Sequence, residues 1–364
     1  MAEDFRRMKA MVLAAGVGSR LDPLTTVLPK PLVPVANSPV MEHIVRLLSV
    51  HGFTDIVANL HYLPDSIRNY FGNGSRLGVN LTFKYEEELS GDAGGVRACK
   101  DFFGNETFVV MMGDLVTDAD ISRIVMEHKR KKAIATIAIK QVEDVEHFGV
   151  VVQNEDGYIT GFQEKPKREE AKSNRASAGI YVLEPKVFEH MPETGSYGFG
   201  RQLFPTLVEK GLPVLGCEIG SYWSDVGTIK QYRETNFDVI RGMLNIPVPG
   251  LKEMVDGQVR YLEAGASVNS GSVMHGPAML GANSKVLSGC SLHGSIVIGN
   301  NVTVEDGAYL ENVVICDGAR VARGARLKDT IVGPDYVVPA DSSHEEATLI
   351  ADRKPQTAGF TSSV

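Results

Sequence analysis

The chain's first chemistry-bearing run is Leu13-Ala14-Ala15-Gly16-Val17-Gly18-Ser19-Arg20, which follows an apolar stretch that begins at Lys9. Small residues let a backbone approach a ligand, and Gly16 and Gly18 accept φ values that other residues resist. Consecutive amides in such a turn form a concavity suited to phosphate, and Arg20 adds a charged fork for phosphate oxygens. A Gly-rich turn after a strand is a mere tight connection about half the time. Neither GxGxxG nor GxxxxGK[ST] is present, so the common dinucleotide and P-loop readings fail. Lys30 lies just beyond, in Leu28-Pro29-Lys30-Pro31-Leu32. Prolines on both sides predict an extended, stiff segment, which favours a lysine aimed at a phosphate over a solvated one.

Other polar residues follow apolar runs. Asp114 comes after Phe108–Met112, and Glu164 with Lys165 precedes Pro166. Asp225 stands two residues after Trp223, the sole tryptophan. Alone, each has a plain explanation. Asp114 and Asp225 suit turns or helix starts, Glu164–Lys165 suits an exposed pair, and Trp223 suits a core.

Taken in order, these residues resemble a known family. Met11 to Pro34 (MVLAAGVGSRLDPLTTVLPKPLVP) is similar to the signature loop of the NDP-sugar pyrophosphorylases, LAAGxGTRLxPLTxxxPKPLxP, with Ser19 for Thr and Asp22 where a basic residue is frequent. Gly91-Asp92-Ala93-Gly94-Gly95 resembles the family's GTAG, with Asp92 for Thr; Gly113-Asp114 resembles its GD, and Phe148-Gly149 its aromatic-Gly pair. Glu164-Lys165-Pro166 matches EKP, Ser177-Ala178-Gly179-Ile180-Tyr181 resembles NAGIY with Ser177 for Asn, and Trp223-Ser224-Asp225-Val226-Gly227-Thr228 resembles WxDxGT. Seven segments in family order, over about 220 residues, make coincidence a poor explanation.

The resemblance implies an enzyme that joins a nucleoside triphosphate to a sugar 1-phosphate and releases pyrophosphate. It implies Arg20 and Lys30 as catalytic cations. Leu13, Ala14, Ala15, Gly16, Gly18, Ser19, Arg20, Gly91, Asp92 and Ala93 would bind nucleotide. Gly149, Glu164, Lys165 and Ser177 would bind the sugar phosphate. Asp114 and Asp225 would hold Mg²⁺, a hard ion that prefers oxygen ligands. A sugar phosphate is largely dianionic near neutral pH, its second pKa being roughly 6 as for phosphoserine. It therefore needs no strong general base, and no Ser-His or Cys-His constellation stands out in the chain.

The pattern is most similar to mannose-1-phosphate guanylyltransferases, which points to GTP. Asp92 is a candidate acceptor for guanine's N1-H and exocyclic amine. UDP- or dTDP-glucose synthesis is the alternative. A catalytically silent regulatory homologue is a further one, for which Asp92 and Ser177 are the only support.

Positioning these residues requires alternating strands and helices. Lys9–Ala15, Ile56–Ala58, Asn80–Tyr85 and Phe108–Met112 read as strands, and Val40–His51, Leu63–Phe71 and Ile121–Lys131 as helices, with Gly113–Asp120 a polar turn. Such alternation predicts an α/β fold with a mainly parallel sheet covered on both faces and ligands at the carboxyl ends of strands. The fold class implied is a Rossmann-like nucleotidyltransferase domain with a mostly parallel mixed sheet, followed by a left-handed parallel β-helix of hexapeptide repeats.

The texture changes after Asn245. Ile246–Gly250 (IPVPG) is a break, and then Leu262, Val268, Met274, Leu280, Val286, Leu292, Ile298, Val304, Leu310 and Cys316 recur at steps of six. Chance would give such a run roughly once in a thousand. Glycines between them (Gly281, Gly294, Gly299, Gly307, Gly318, Gly324) supply corners. The expected organisation is a catalytic domain over 1–245, a linker over 246–260, a β-helix over 261–340 and a polar tail over 341–364 with one short helix near Glu345–Ile350. About three coils are expected. That favours a structural, homo-oligomer-forming domain over an acyltransferase, for which His275 and His293 are candidates by residue type alone.

Bulk properties agree. A chain of 364 residues favours two domains. A net charge of -8 argues against a nucleic-acid partner, which requires a basic face. The first ten residues lack an apolar signal core, and no run approaches the ~18 apolar residues of a membrane span. Cys99, Cys217, Cys290 and Cys316 are far apart, which suits reduced thiols in a cytoplasmic protein.

Overall fold

Strand β1 (Lys9–Leu13) is buried from Ala10 onward, which is why it reads as a continuous apolar run. The computed structural model describes residues 8–351. Residues 352–364 of the expected tail lie outside the described residues. By contacts the described chain falls into two compact units: one holds the chain up to Val17 and Val40–Asp225, the other Gly18–Pro39 and Val226 onward.

In the first unit β1 is followed by α1 (Val40–Val50), β2 (Asp55–Leu60), α2 (Pro64–Phe71), β3 (Asn80–Tyr85), the short α3 (Asp92–Arg97), β4 (Phe108–Met112) and β5 (Leu115–Thr117). Then come α4 (Ile121–Lys131), β6 (Ala135–Gln141), β7 (Gly149–Gln153), β8 (Ile159–Glu164), β9 (Arg175–Leu183), α5 (Phe204–Glu209), β10 (Val214–Glu218) and β11 (Trp223–Asp225). Nine strands form one sheet with the path β8-β7-β9-β4-β1-β2-β3, while β6 joins β9 to β10. The β4-β1-β2-β3 half is parallel, and β9 runs antiparallel to β4, β6 and β7. This is the mixed Rossmann-like sheet that the resemblance implies. The expected turn Gly113–Asp120 is not wholly a turn: β5 lies inside it and pairs with β11.

Periodicity located the helices because each buries one stripe. In α4, Ile121, Ile124, Val125 and His128 face inward, and Asp120 caps the start by accepting from Arg123 N–H at 2.9 Å.

The second unit holds helix α6 (Ile229–Ile240) and a stack of short parallel strands. The stretch 246–260, expected as a linker, instead carries a hairpin of β12 (Leu251–Val255) and β13 (Gln258–Leu262), and β13 starts the stack. Left-handed backbone at Gly265, Asn283, Asn301, Gly318 and Asp335 marks one corner of successive turns, five where about three were expected. Val268, Val286, Val304, Val321 and Val338 belong to one ladder of five strands.

The six-residue step fails at its last member. Ile298 is opposite Ile315, not Cys316, because the single Asn312 replaces the two-residue corner Gly294-Ser295. Ile315 therefore joins the inner core, and Cys316 lies 3.9 Å from Tyr232 Oη on α6. The expected helix near Glu345–Ile350 is absent as well. Strands Ser343–Glu345 and Thr348–Leu349 continue the stack instead.

Candidate active site

The C-terminal end of β1 opens into the Gly-rich loop. Gly113 N–H donates to Leu13 O at 2.8 Å, and a Cβ at Gly113 would collide with that carbonyl. The start of the loop and the Gly113-Asp114 corner therefore meet at a point where only glycine fits. Ala14 N–H donates to Asn59 Oδ1 at 2.9 Å, and Asn59 Nδ2 donates to Glu86 Oε1 at 2.6 Å. Glu86 Oε2 accepts from the Ser90 hydroxyl at 2.5 Å, just before Gly91. Asn59 and Glu86, both buried, thus join the phosphate-type loop to the Gly91–Ala93 segment. Sequence reading missed both, since neither belongs to a motif.

Gly16 and Ser19 are exposed, and a Cβ on Gly16 would meet open space. Only Gly18 of the two loop glycines has the left-handed φ expected of both, at +77°. Within the second unit a Cβ on Gly18 would come 2.9 Å from Lys30 Cβ. Lys30 does not sit in an extended segment: it starts a one-turn 3₁₀ helix, Lys30–Leu32, after an extended Pro29. It is 9% exposed, whereas Arg20 is exposed. Asp22 Oδ1 is 2.6 Å from the Thr25 hydroxyl, which ties that acidic departure into the loop's own turn.

Asp114 directly precedes β5, and Asp225 ends β11 opposite Leu115. Both carboxylate residues are partly buried, and Asp114 lies one residue outside the pairing that ends at Leu115 and Asp225. Among the described residues no group of three or more His, Cys, Asp or Glu is arranged to hold a metal. By donor chemistry Asp114 and Asp225 suit Mg²⁺, which commonly takes one or two carboxylates with water and substrate phosphate completing its shell.

The sugar-phosphate candidates gather elsewhere in the same unit. Lys165 has a left-handed φ of 49° and its N–H donates to Phe148 O at 3.0 Å, next to Gly149. Phe148 packs edge-on against Trp223 with centroids 5.3 Å apart, and Trp223 Nε1 donates to Ala178 O. Ser177 Oγ is 3.2 Å from Tyr181 Oη, across an irregularity of β9. Burial pushes the Tyr181 phenol well up, so it stays protonated. A Cβ at Gly149 would be 3.2 Å from Glu164 Oε2, and one at Gly200 would collide with the same oxygen. Two glycines therefore flank the Glu164 carboxylate. Burial raises its pKa, Lys165 and Arg201 oppose that, and Asp92 adds to it. Gly200 and Arg201 are further residues that no motif announced.

Asp92, expected to accept from a base, takes two backbone amides at one of its oxygens. Its Oδ1 accepts from Ala93 N–H and Phe199 N–H, each at 2.7 Å. In the second unit the His275 and His293 rings lie tilted with centroids 5.4 Å apart, and His293 stacks on Tyr309 at 5.3 Å, along neighbouring strands of the β-helix-type stack.

Known families match this organisation. A nucleotidyl transferase family model matches residues 9–241, more than half the chain. The chain belongs to the nucleotidyl transferase family. A second model, the GMPPB C-terminal domain, matches residues 274–354. A UTP–glucose-1-phosphate uridylyltransferase of Synechocystis is 37% identical, with 91% of this chain and 88% of the relative covered. A mannose-1-phosphate guanylyltransferase of Mycobacterium tuberculosis is 30% identical over 87% of this chain and 82% of its own length. A crystal structure from Bacillus anthracis, assigned as a glucose-1-phosphate thymidylyltransferase, has a TM-score of 0.58 at 32% identity, covering 63% of this chain and 94% of that one. As a family member the chain is a nucleotidyltransferase of the sugar-1-phosphate class. No helix of the described residues is long and apolar enough to cross a membrane.

Proposed function

We propose that the chain transfers a guanylyl group from GTP to mannose 1-phosphate, giving GDP-mannose and pyrophosphate. The observations that support the reaction type lie in the first unit: Asp114 adjoins the strand pairing that Asp225 ends, and Glu164 and Lys165 lie beside Gly149. A sugar-phosphate oxygen attacks the α-phosphorus, the bond from that phosphorus to the α–β bridging oxygen breaks, and pyrophosphate leaves. The obstacle is repulsion between anions, so cations and alignment supply the acceleration.

In this reading the backbone from Leu13, Ala14 and Ala15 through Gly16, Gly18 and Ser19 receives the nucleotide, together with Gly91 and Ala93. Arg20 counters charge on the leaving pyrophosphate and Lys30 charge at the α-phosphate. Lys165 holds the incoming phosphate, while Glu164, Gly149 and Ser177 hold the sugar. Asp114 and Asp225 would hold Mg²⁺, which when bound neutralises phosphate charge. The residues that bind substrate and react are assigned within 1–245. The β-helix is assigned a structural role, holding copies of the chain together as a homo-oligomer. The four cysteines are free thiols, all buried, which supports a cytoplasmic setting.

The GMPPB-type C-terminal match and the guanylyltransferase relatives support GTP with mannose 1-phosphate. The Synechocystis relative, with its higher identity over most of the chain, favours a second reading of UTP with glucose 1-phosphate. Pyrophosphate release measured for four NTPs against both sugar phosphates separates them. The first reading predicts the highest kcat/KM for GTP with mannose 1-phosphate, and a preference for UTP or dTTP removes it.

A further inference from the structure

Asp92 stands where the family resemblance has threonine, at the start of α3. Three hydrogen bonds join its surroundings to a distant segment. Tyr197 N–H donates to Ser90 O at 2.8 Å, Gly94 N–H to Tyr197 O at 2.9 Å, and Phe199 N–H to Asp92 Oδ1 at 2.7 Å. The approach is close enough that a Cβ on Gly91 would be 2.5 Å from Tyr197 O. A carboxylate only accepts, so Asp92 Oδ1 can take the Ala93 and Phe199 amides together. A threonine hydroxyl has its own proton to place.

The segment so held is one wall of the Glu164 carboxylate. Gly200 follows Phe199 directly, and a Cβ there would collide with Glu164 Oε2. Phe199 is anchored in turn, stacking on Phe204 at 5.2 Å and packing on Tyr181 at 4.7 Å. On its other side the Gly91–Ala93 stretch connects through Ser90, Glu86 and Asn59 to Ala14. Charge places Asp92 near the same end of the site, since it and Lys165 act on each other electrostatically.

We propose that Asp92 is a positioning residue for the sugar-phosphate end, bracing Tyr197–Arg201 against Glu164 and coupling that wall to the nucleotide-facing Gly91–Ala93 segment. The inference rests on the assignment of Glu164 and Lys165 to the sugar phosphate. It replaces a base-reading role for Asp92 with one in acceptor binding.

The test compares Asp92→Ala, Asp92→Asn and the unsubstituted chain. It measures KM for NTP and for mannose and glucose 1-phosphate, calorimetric binding of those sugar phosphates, and thermal midpoints. Asparagine keeps the accepting Oδ1 without charge, and alanine removes it. Asp92→Ala is expected to raise KM for the sugar 1-phosphate about tenfold, the scale of a lost hydrogen bond to a charged acceptor, with NTP KM changed less than threefold. Asp92→Asn is expected to restore sugar-phosphate KM to within about threefold of the unsubstituted value. If both variants instead shift NTP KM or base preference and leave sugar-phosphate KM alone, Asp92 reads the base and the proposal falls. A lower thermal midpoint in Asp92→Ala with both KM values unchanged reduces it to a fold contact and overturns the proposal too. Should the unsubstituted chain bind neither sugar phosphate, the underlying assignment fails and takes the proposal with it.

Discussion

Lys30 is a lysine held 9% exposed beside a glycine with no room for a side chain, an arrangement that a solvated surface residue does not need. Truncating Lys30 or Arg20 to alanine should cut kcat about 10²–10³-fold, the range for removing one preorganised charge-stabilising group. Asp114→Asn and Asp225→Asn should each lose pyrophosphate release that added Mg²⁺ restores only in part; near-normal release in either variant would remove that carboxylate as a ligand. Gly200→Ala forces a methyl group onto Glu164 Oε2, so KM for the sugar phosphate should rise with NTP KM little changed. The motif residues were legible because a few adjacent positions state their chemistry. Asn59, Glu86, Gly200 and Arg201 were not, because partners such as Asn59 and Glu86 meet only through the fold, 27 residues apart. The tie of Asp92 to Phe199 was hidden for the same reason, since the two lie 107 residues apart.

Among elements, α1 to α4 and the parallel strands were readable from periodicity, whereas the antiparallel half of the sheet was not parsed. Helix α1 carries a buried carboxylate, Glu42, with Arg46 at 2.7 Å, Arg76 at 2.7 Å and Tyr70 Oη at 2.8 Å. Burial alone pushes the Glu42 pKa up, but the bonds from Arg76, Tyr70 and Arg46 outweigh it and hold the carboxyl below the ordinary glutamate range. A depressed carboxylate stabilises the fold above its unfolded pKa, and that contribution is lost as pH falls through the folded value. Glu42→Gln should therefore cost about 2 kcal/mol in urea unfolding at pH 7, with the gap to the parent closing as pH drops below the ordinary glutamate range. In the β-helix-type stack, Leu310→Ala should cost about 3 kcal/mol, since Leu310 is fully buried in the inner core. The hexapeptide step was legible as far as Leu310 and slipped at Cys316. A single Asn312 corner changes the count of residues per turn, and a fixed period cannot register that.

At the scale of the molecule, α6 belongs with the β-helix-type stack in one compact unit, although sequence placed the two in different domains. Tyr232 on α6 is fully buried with its hydroxyl near Cys316, so cutting the chain after Asn245 removes its cover. The shortened chain should bind a hydrophobic dye and unfold at lower temperature than the whole one; equal stability would contradict that assignment. The most direct test of the central claim is ³¹P NMR of the purified chain with GTP, mannose 1-phosphate and Mg²⁺. GDP-mannose and pyrophosphate should appear in equal amounts, and omitting any one component should abolish both. Hydrolysis of GTP without sugar-nucleotide formation, repeated with UTP and glucose 1-phosphate, would contradict the account.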